Sequence, residues 1–186
     1  RQTEQLERFA DTLSHDLRNP LTVARGRLEM AKKSEDLAHL DAVDQAHDRI
    51  EQIIEDLLAL SREGQRVGEL DRVELAAVFE DARDTTATGD ATCTVADGAD
   101  VVVYADRSRL QRVFENLLRN AVEHGPAGPD GGVTVTLGAH PEGFYVEDDG
   151  VGVAPAEREN VFEYEFTTAE DGTGLGLAIV RAIAKA

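Results

Sequence analysis

The sequence predicts an α+β protein: an N-terminal antiparallel helical hairpin over 1–66, then an α/β sandwich domain over 67–186. Three observations predict it. Apolar residues recur at alternating spacings of three and four through 3–33 and again through 39–63, the pattern of helices that each bury one stripe. Only the polar stretch 34–38 separates the two, a connection of hairpin length. Beyond Gly64 to Gly68, the expected hinge, the texture becomes mixed, and 133–139 and 143–148 alternate as paired strands do.

The first stripe is Leu6, Ala10, Leu13, Leu17, Pro20, Ala24, Leu28 and Ala31. The second is Leu40, Val43, Ala46, Ile50, Ile53, Leu57 and Leu60, widened by Ile54 and Leu58. One hairpin cannot bury faces this wide, so a second copy is expected to complete a four-helix bundle, a homodimer through 1–63. Next come a helix at 73–84, strands at 91–96 and 100–105, and a helix at 106–123. A Gly/Pro turn region from Gly125 to Gly132 precedes the 133–148 hairpin. A Gly-punctuated loop then leads to Pro155 near the start of a short helix, a flexible stretch at 163–173 and a last helix from 174. A mostly antiparallel sheet with helices fits a sandwich.

The 186 residues include 37 acidic and 19 basic ones, for a net charge of −18, and only three are lysines. Duplex nucleic acid is a poor partner for such a chain, since binding it rests on neutralising phosphates. A charge of this size is best tolerated where salt screens it, so a halophilic source is expected. The lone Cys93 permits neither an intrachain disulfide nor a cysteine zinc site. No apolar run reaches the roughly 20 residues of a membrane span, and no signal peptide is visible. The fragment is therefore expected to be cytoplasmic, without membrane contact, and to be a piece of something longer.

One stretch carries nucleophile chemistry: Ser14 to Leu21, with His15, Asp16, Asn19 and Pro20. Two residues along a helix is about 200° of rotation, so His15 points away from Leu13 and Leu17, toward water. Asp11 and Asn19 share its outer face. Pro20 cannot donate to the carbonyl of Asp16, so a bend is expected there. Neutral imidazole is a usable nucleophile near pH 7 when one nitrogen is free and the other held, and Asp16 is placed to hold it. A solvated surface histidine fits the same residues.

Four later segments suit ATP. Asn116 and Asn120 fall on one helix face, where amide oxygens can ligate Mg²⁺ beside phosphates; a plain polar face is the other reading. Asp148 to Gly152 leaves a strand with a carboxylate able to accept the amine of adenine, and with glycines that admit a base; an acidic turn is the other reading. Gly172, Thr173, Gly174, Leu175, Gly176 and Leu177 open the last helix, where backbone N–H groups suit phosphates. Phe162 and Phe166 could anchor a mobile flap; plain aromatic packing is the other reading.

Taken in order, these pieces resemble the catalytic core of the sensor histidine kinases of two-component systems. Ser14 to Leu21 resembles the H-box, Asn116 to Ala121 the N-box, Asp148 to Gly152 the G1 box, Phe162 to Phe166 the F-box and Gly172 to Leu177 the G2 box. The resemblance spans nearly the whole chain. It implies a dimerisation and phosphotransfer hairpin followed by a Bergerat-type ATP-binding domain. By it, His15 attacks the γ-phosphoryl of ATP, Asp16 assists as base, and Asn19 orients water when the partner is dephosphorylated. Asn120 would carry Mg²⁺ and Asp148 would hold adenine. Asn116, Gly150, Gly152, Thr168, Gly172, Thr173, Gly174, Leu175, Gly176 and Leu177 would complete the nucleotide site. The implied acceptor is an aspartate on a response-regulator receiver domain.

Three departures stand out. Glu123 occupies a position that is often basic, and 159–173 contains no Lys or Arg, which leaves Arg119 and Arg158 as the nearby cations. The family continues past the position of Ala186, so the ATP domain is expected to lack part of its sheet. No sensor segment is present. Two other readings stay open: an ATPase of the same superfamily, which has an acid where Asn116 stands, and a nucleotide-binding dimeric scaffold without phosphohistidine.

Overall fold

The computed structural model describes residues 2–34, 36–61, 70–86, 88–89, 91–125, 132–163, 166–167 and 174–185. It divides into two compact units, Arg1–Arg62 and Glu63–Ala186. The expected hinge at 64–68 lies outside the described residues.

The first unit pairs α1 (Gln2–Ser34) with α2 (Ala38–Ser61). α1 runs through Pro20, which is buried. The turn closes locally, with Asp36 Oδ1 accepting the Ala38 N–H at 3.0 Å, as a helix-capping side chain does. Ala24, Ala46 and Ile53 are buried along the predicted stripes, and Asp56 is buried with them. Leu21 of α1 and Ile54 and Leu58 of α2 stay roughly half exposed.

The second unit contains β1 (Asp71–Glu74), α3 (Leu75–Thr85), β2 (Thr92–Val95), β3 (Val102–Ala105), α4 (Arg107–His124), β4 (Thr134–His140), β5 (Gly143–Asp148) and α5 (Gly176–Lys185). β1 pairs antiparallel with β3, while the other three strands form a sheet in the order β2-β4-β5. There β2 runs parallel to β4, and β4 antiparallel to β5, with Leu137 opposite Val146. Phe79 of α3, Phe114 and Leu118 of α4, and Val135 and Leu137 of β4 make the core between helices and sheet. Phe114 sits at its centre, edge-on to Phe79 at 5.4 Å and tilted against Phe144 at 5.7 Å.

Two expectations are corrected. The helix expected at 73–84 begins only at Leu75, because Val73 belongs to β1. Glu74 has extended backbone (φ −74°, ψ 114°), and the Leu75 N–H goes to the Val101 carbonyl at 3.0 Å. A strand of four residues whose partner lies some thirty residues on shows too little alternation to be read locally. The short helix expected after Pro155 is instead a series of turns over 155–162, with Glu157 N–H on the Ala154 carbonyl and Asn160 N–H on that of Glu157. Its middle, Glu157 to Asn160, has no apolar stripe to bury, so nothing stabilises a regular helix there.

Candidate functional site

In the first unit the His15 side chain is 79% exposed and that of Asp16 25%. His15 Nδ1 lies 3.4 Å from Asp16 Oδ1, which leaves Nε2 as the nitrogen open to solvent. Asn19 is exposed one turn further on, as the helical spacing requires.

In the second unit α4 forms the common wall. Asp106 starts it: its Oδ1 accepts the Ser108 and Arg109 N–H groups at 3.0 and 3.2 Å and the Ser108 hydroxyl at 2.7 Å. Burial alone pushes this carboxyl up. The Ser108 hydroxyl, the two amides and the Arg109 guanidinium outweigh burial and hold it below its ordinary value. From this anchored start, α4 presents Asn116, 3% exposed, and Asn120, half-buried. Asn116 Nδ2 donates to the Arg112 carbonyl at 2.9 Å. Asn120 makes no side-chain hydrogen bond among the described residues.

Two other segments meet this helix. Gly176, the first residue of α5, has no room for a large side chain: a Cβ there would lie 3.0 Å from Asn116 Oδ1 and 3.5 Å from Asn120 Oδ1. Gly174 adopts φ +63° just before it, Leu175 and Ile179 are buried, and Leu177 is half-buried. The second segment is the turn after β5. Asp148 Oδ1 accepts the Gly150 N–H at 3.0 Å, and Gly150 packs backbone to backbone on Gly125 at the end of α4, where a Cβ would come within 2.6 Å of its Cα. Gly152 follows at φ +67° with open space around it. The structure thus brings Asn116, Asn120, Gly176, Gly150 and Asp148 around α4. Thr168, Gly172 and Thr173 lie outside the described residues.

Two participants were not singled out from sequence. Asp149 Oδ1 accepts the Thr134 N–H at 2.7 Å, a bond that holds its carboxyl below the usual range and ties the turn to β4. Gly125 supplies the flat surface under Gly150; a glycine directly after a helix was its only local signal. Of the two cations named for phosphate, Arg158 is exposed with Nε on the Val153 carbonyl at 3.1 Å, and Arg119 is half-buried on α4.

Residues 5–66 match the His Kinase A (phospho-acceptor) domain, and residues 105–186 match the histidine kinase-, DNA gyrase B- and HSP90-like ATPases. The chain belongs to the sensor histidine kinases. The mycobacterial sensor histidine kinase MprB is 32% identical, with 62% of this chain and 78% of that one covered and a TM-score of 0.50. The methanogenesis regulatory histidine kinase FilI of Methanothrix harundinacea is 32% identical over 96% of this chain and 22% of its own length. The histidine kinase ThkA, solved in complex with the response regulator TrrA, shares the fold at 24% identity and a TM-score of 0.69, over 98% of this chain and 56% of that one. This histidine kinase chain spans between 22% and 44% of the length of the first curated relatives it matches. No helix among its described residues is long and apolar enough to cross a membrane.

Proposed function

We propose that this chain is the core of a phosphorelay kinase: His15 takes the γ-phosphoryl of ATP and passes it to an aspartate of a response-regulator receiver domain. The observation that carries the reading is His15 itself, exposed, with Nδ1 turned to Asp16 and Nε2 free, inside a matched phosphoacceptor domain. The Nε2 lone pair forms the N–P bond as the bond from phosphorus to the ADP oxygen breaks. The imidazolium so formed sheds its Nδ1 proton to Asp16. Asn19, on the same face, suits orienting a water for dephosphorylation of the partner. Phosphoryl transfer asks mainly for positioning and charge stabilisation.

Within the second unit, Asp148 would accept the adenine amine, and the segment from Gly174 to Leu177 would offer backbone N–H groups to the phosphates. Mg²⁺ would rest on the Asn120 amide oxygen and phosphate oxygens. That all-oxygen set suits the ion, which when bound neutralises phosphate charge. The half-exposed Leu21 and Ile54 support a homodimer through the hairpin. The net charge of −18 supports work at high salt, in the cytoplasm where ATP is available.

The test is phosphoryl incorporation from γ-labelled ATP and Mg²⁺ in high salt, on this chain and on His15→Gln. Acid-labile, alkali-stable label that vanishes in the variant is expected. Label that persists in His15→Gln would refute His15 as acceptor, and ATP binding without any label would refute autokinase activity.

A further inference from the structure

We infer that Arg18 binds the phosphoryl group while His15 carries it, so that the hairpin itself supplies a cation to the phosphorylated histidine. This rests on the reading of His15 as phosphoacceptor and adds a second residue to that site.

A phosphoryl group brings about two negative charges to a side chain that is 79% exposed, in a chain whose net charge is already −18. Within four residues of His15 on either side, the charged residues are Asp11, Asp16 and Arg18. The two carboxylates repel the product, and Asp16 already holds Nδ1 at 3.4 Å. Arg18 alone attracts it. The next cation along α1, Arg25, stands ten residues past His15, about 15 Å along the axis, and its Nε lies 4.0 Å from Glu29.

Helix geometry brings the two side chains together. α1 is continuous from Gln2 to Ser34, and residues three apart on a helix are surface neighbours, with Cβ atoms about 5–6 Å apart. Helical side chains lean toward the N-terminus, so one three positions after His15 leans over the histidine's own turn. Nδ1 is turned to Asp16, which puts a phosphoryl group on Nε2 across the ring from that carboxylate. Arg18 is exposed, and its guanidinium makes no hydrogen bond or ion pair among the described residues. Its backbone is held, because the Thr22 hydroxyl donates to the Arg18 carbonyl at 2.8 Å. The planar fork of a guanidinium can give two parallel hydrogen bonds to phosphoryl oxygens.

The experiment loads His15 of the whole chain without nucleotide, using potassium phosphoramidate. Nε2 forms its bond to phosphorus as the phosphorus–nitrogen bond of the reagent breaks, and the departing ammonia takes up the Nδ1 proton. Phosphorus NMR then follows the phosphoryl group against pH in wild type, Arg18→Gln, Arg18→Lys and Arg25→Gln, with His15→Gln identifying the signal. A neighbouring cation favours the dianion, so Arg18→Gln should raise the pH at which the group protonates by about 0.2–0.7 of a pH unit, the scale of one exposed ion pair. Arg18→Lys, which keeps the charge, should stay near wild type, and Arg25→Gln should not move the titration. With γ-labelled ATP, Arg18→Gln is expected to slow labelling at saturating ATP by about two- to fivefold with the KM for ATP unchanged. An Arg18→Gln titration that coincides with wild type would overturn the inference, as would an equal shift in Arg25→Gln. A wild-type chain that takes no label from ATP would refute the autokinase reading instead, while the phosphoramidate-loaded protein still decides the role of Arg18.

Discussion

Replacing Gly150 with alanine tests how the turn after β5 is held against α4. The added Cβ would lie 2.6 Å from Gly125 Cα, 2.9 Å from its carbonyl oxygen and 2.8 Å from Asp148 Oδ1. Unstrained carbon–carbon contacts lie at about 3.5–4.0 Å, so turn and helix end must separate by roughly 1 Å. Both neighbours at Gly125 are backbone and cannot swing aside. Overpacking of this kind costs about 1–3 kcal/mol. The third contact adds a functional cost, because the methyl pushes on the carboxylate that is proposed to hold adenine. Losing one hydrogen bond to a charged group is worth about 1.5–3 kcal/mol, so nucleotide affinity should fall by about 10- to 100-fold. Gly152→Ala is the control. Its φ of +67° makes alanine unfavourable, but nothing lies within 4 Å of the new methyl, so it should cost about 1–2 kcal/mol of backbone strain without displacing Asp148 sterically. Urea unfolding and probe titration on both variants give the two readouts. A Gly150→Ala protein that unfolds and binds as wild type does would refute the packing argument.

Other substitutions probe the frame around the site. Gly138→Ala would place its methyl against the far end of the Tyr145 side chain, yet Tyr145 is exposed and its ring can swing outward, so urea unfolding should show a loss of about 1 kcal/mol or less, below that of Gly150→Ala. Asp106→Ala removes the cap of α4 and should destabilise the second unit by about 0.5–2 kcal/mol in the same measurement. Because folding lowers the Asp106 pKa, its contribution is complete above the unfolded value of about 4 and is lost as pH falls through the lower folded value. The difference between wild type and Asp106→Asn should therefore shrink on acidification below about pH 4, and a difference that holds steady there would refute the cap's ionised role. Phe114→Ala opens the centre of the core between Phe79 and Phe144 and should cost about 3–5 kcal/mol; a loss below 1 kcal/mol would mean that the helices do not close on the sheet as described.

How much was legible in advance depended on the range of the interactions involved. The two hairpin helices, α4 and the β4–β5 pairing announce themselves through periodicity, because a helix stripe or a strand face is written into residues a few positions apart. The exposure of His15 followed from the same arithmetic, two residues off the buried stripe. β1 was not legible, since its four residues become a strand only by pairing with β3 some thirty residues later. The turns after Pro155 were misread because proline marks a helix start only where an apolar face follows it.

By itself the sequence determined which residue types stand at which helical and strand positions, and through them the order of elements, the outward histidine and the set of phosphate-friendly segments. It placed Asn116 and Asn120 on one helix face, and the resemblance alone singled out Asn120 for Mg²⁺. Tertiary structure gave the two different surroundings: α5 packs on α4 with Gly176 nearer to Asn116, which is buried, than to Asn120, which is half-buried. It also set the Asp148 turn on the end of α4 through the contact of Gly150 with Gly125. The reason is physical: periodicity reports which face an element buries, but which atom meets which across two packed elements is fixed by close packing among residues far apart in the chain.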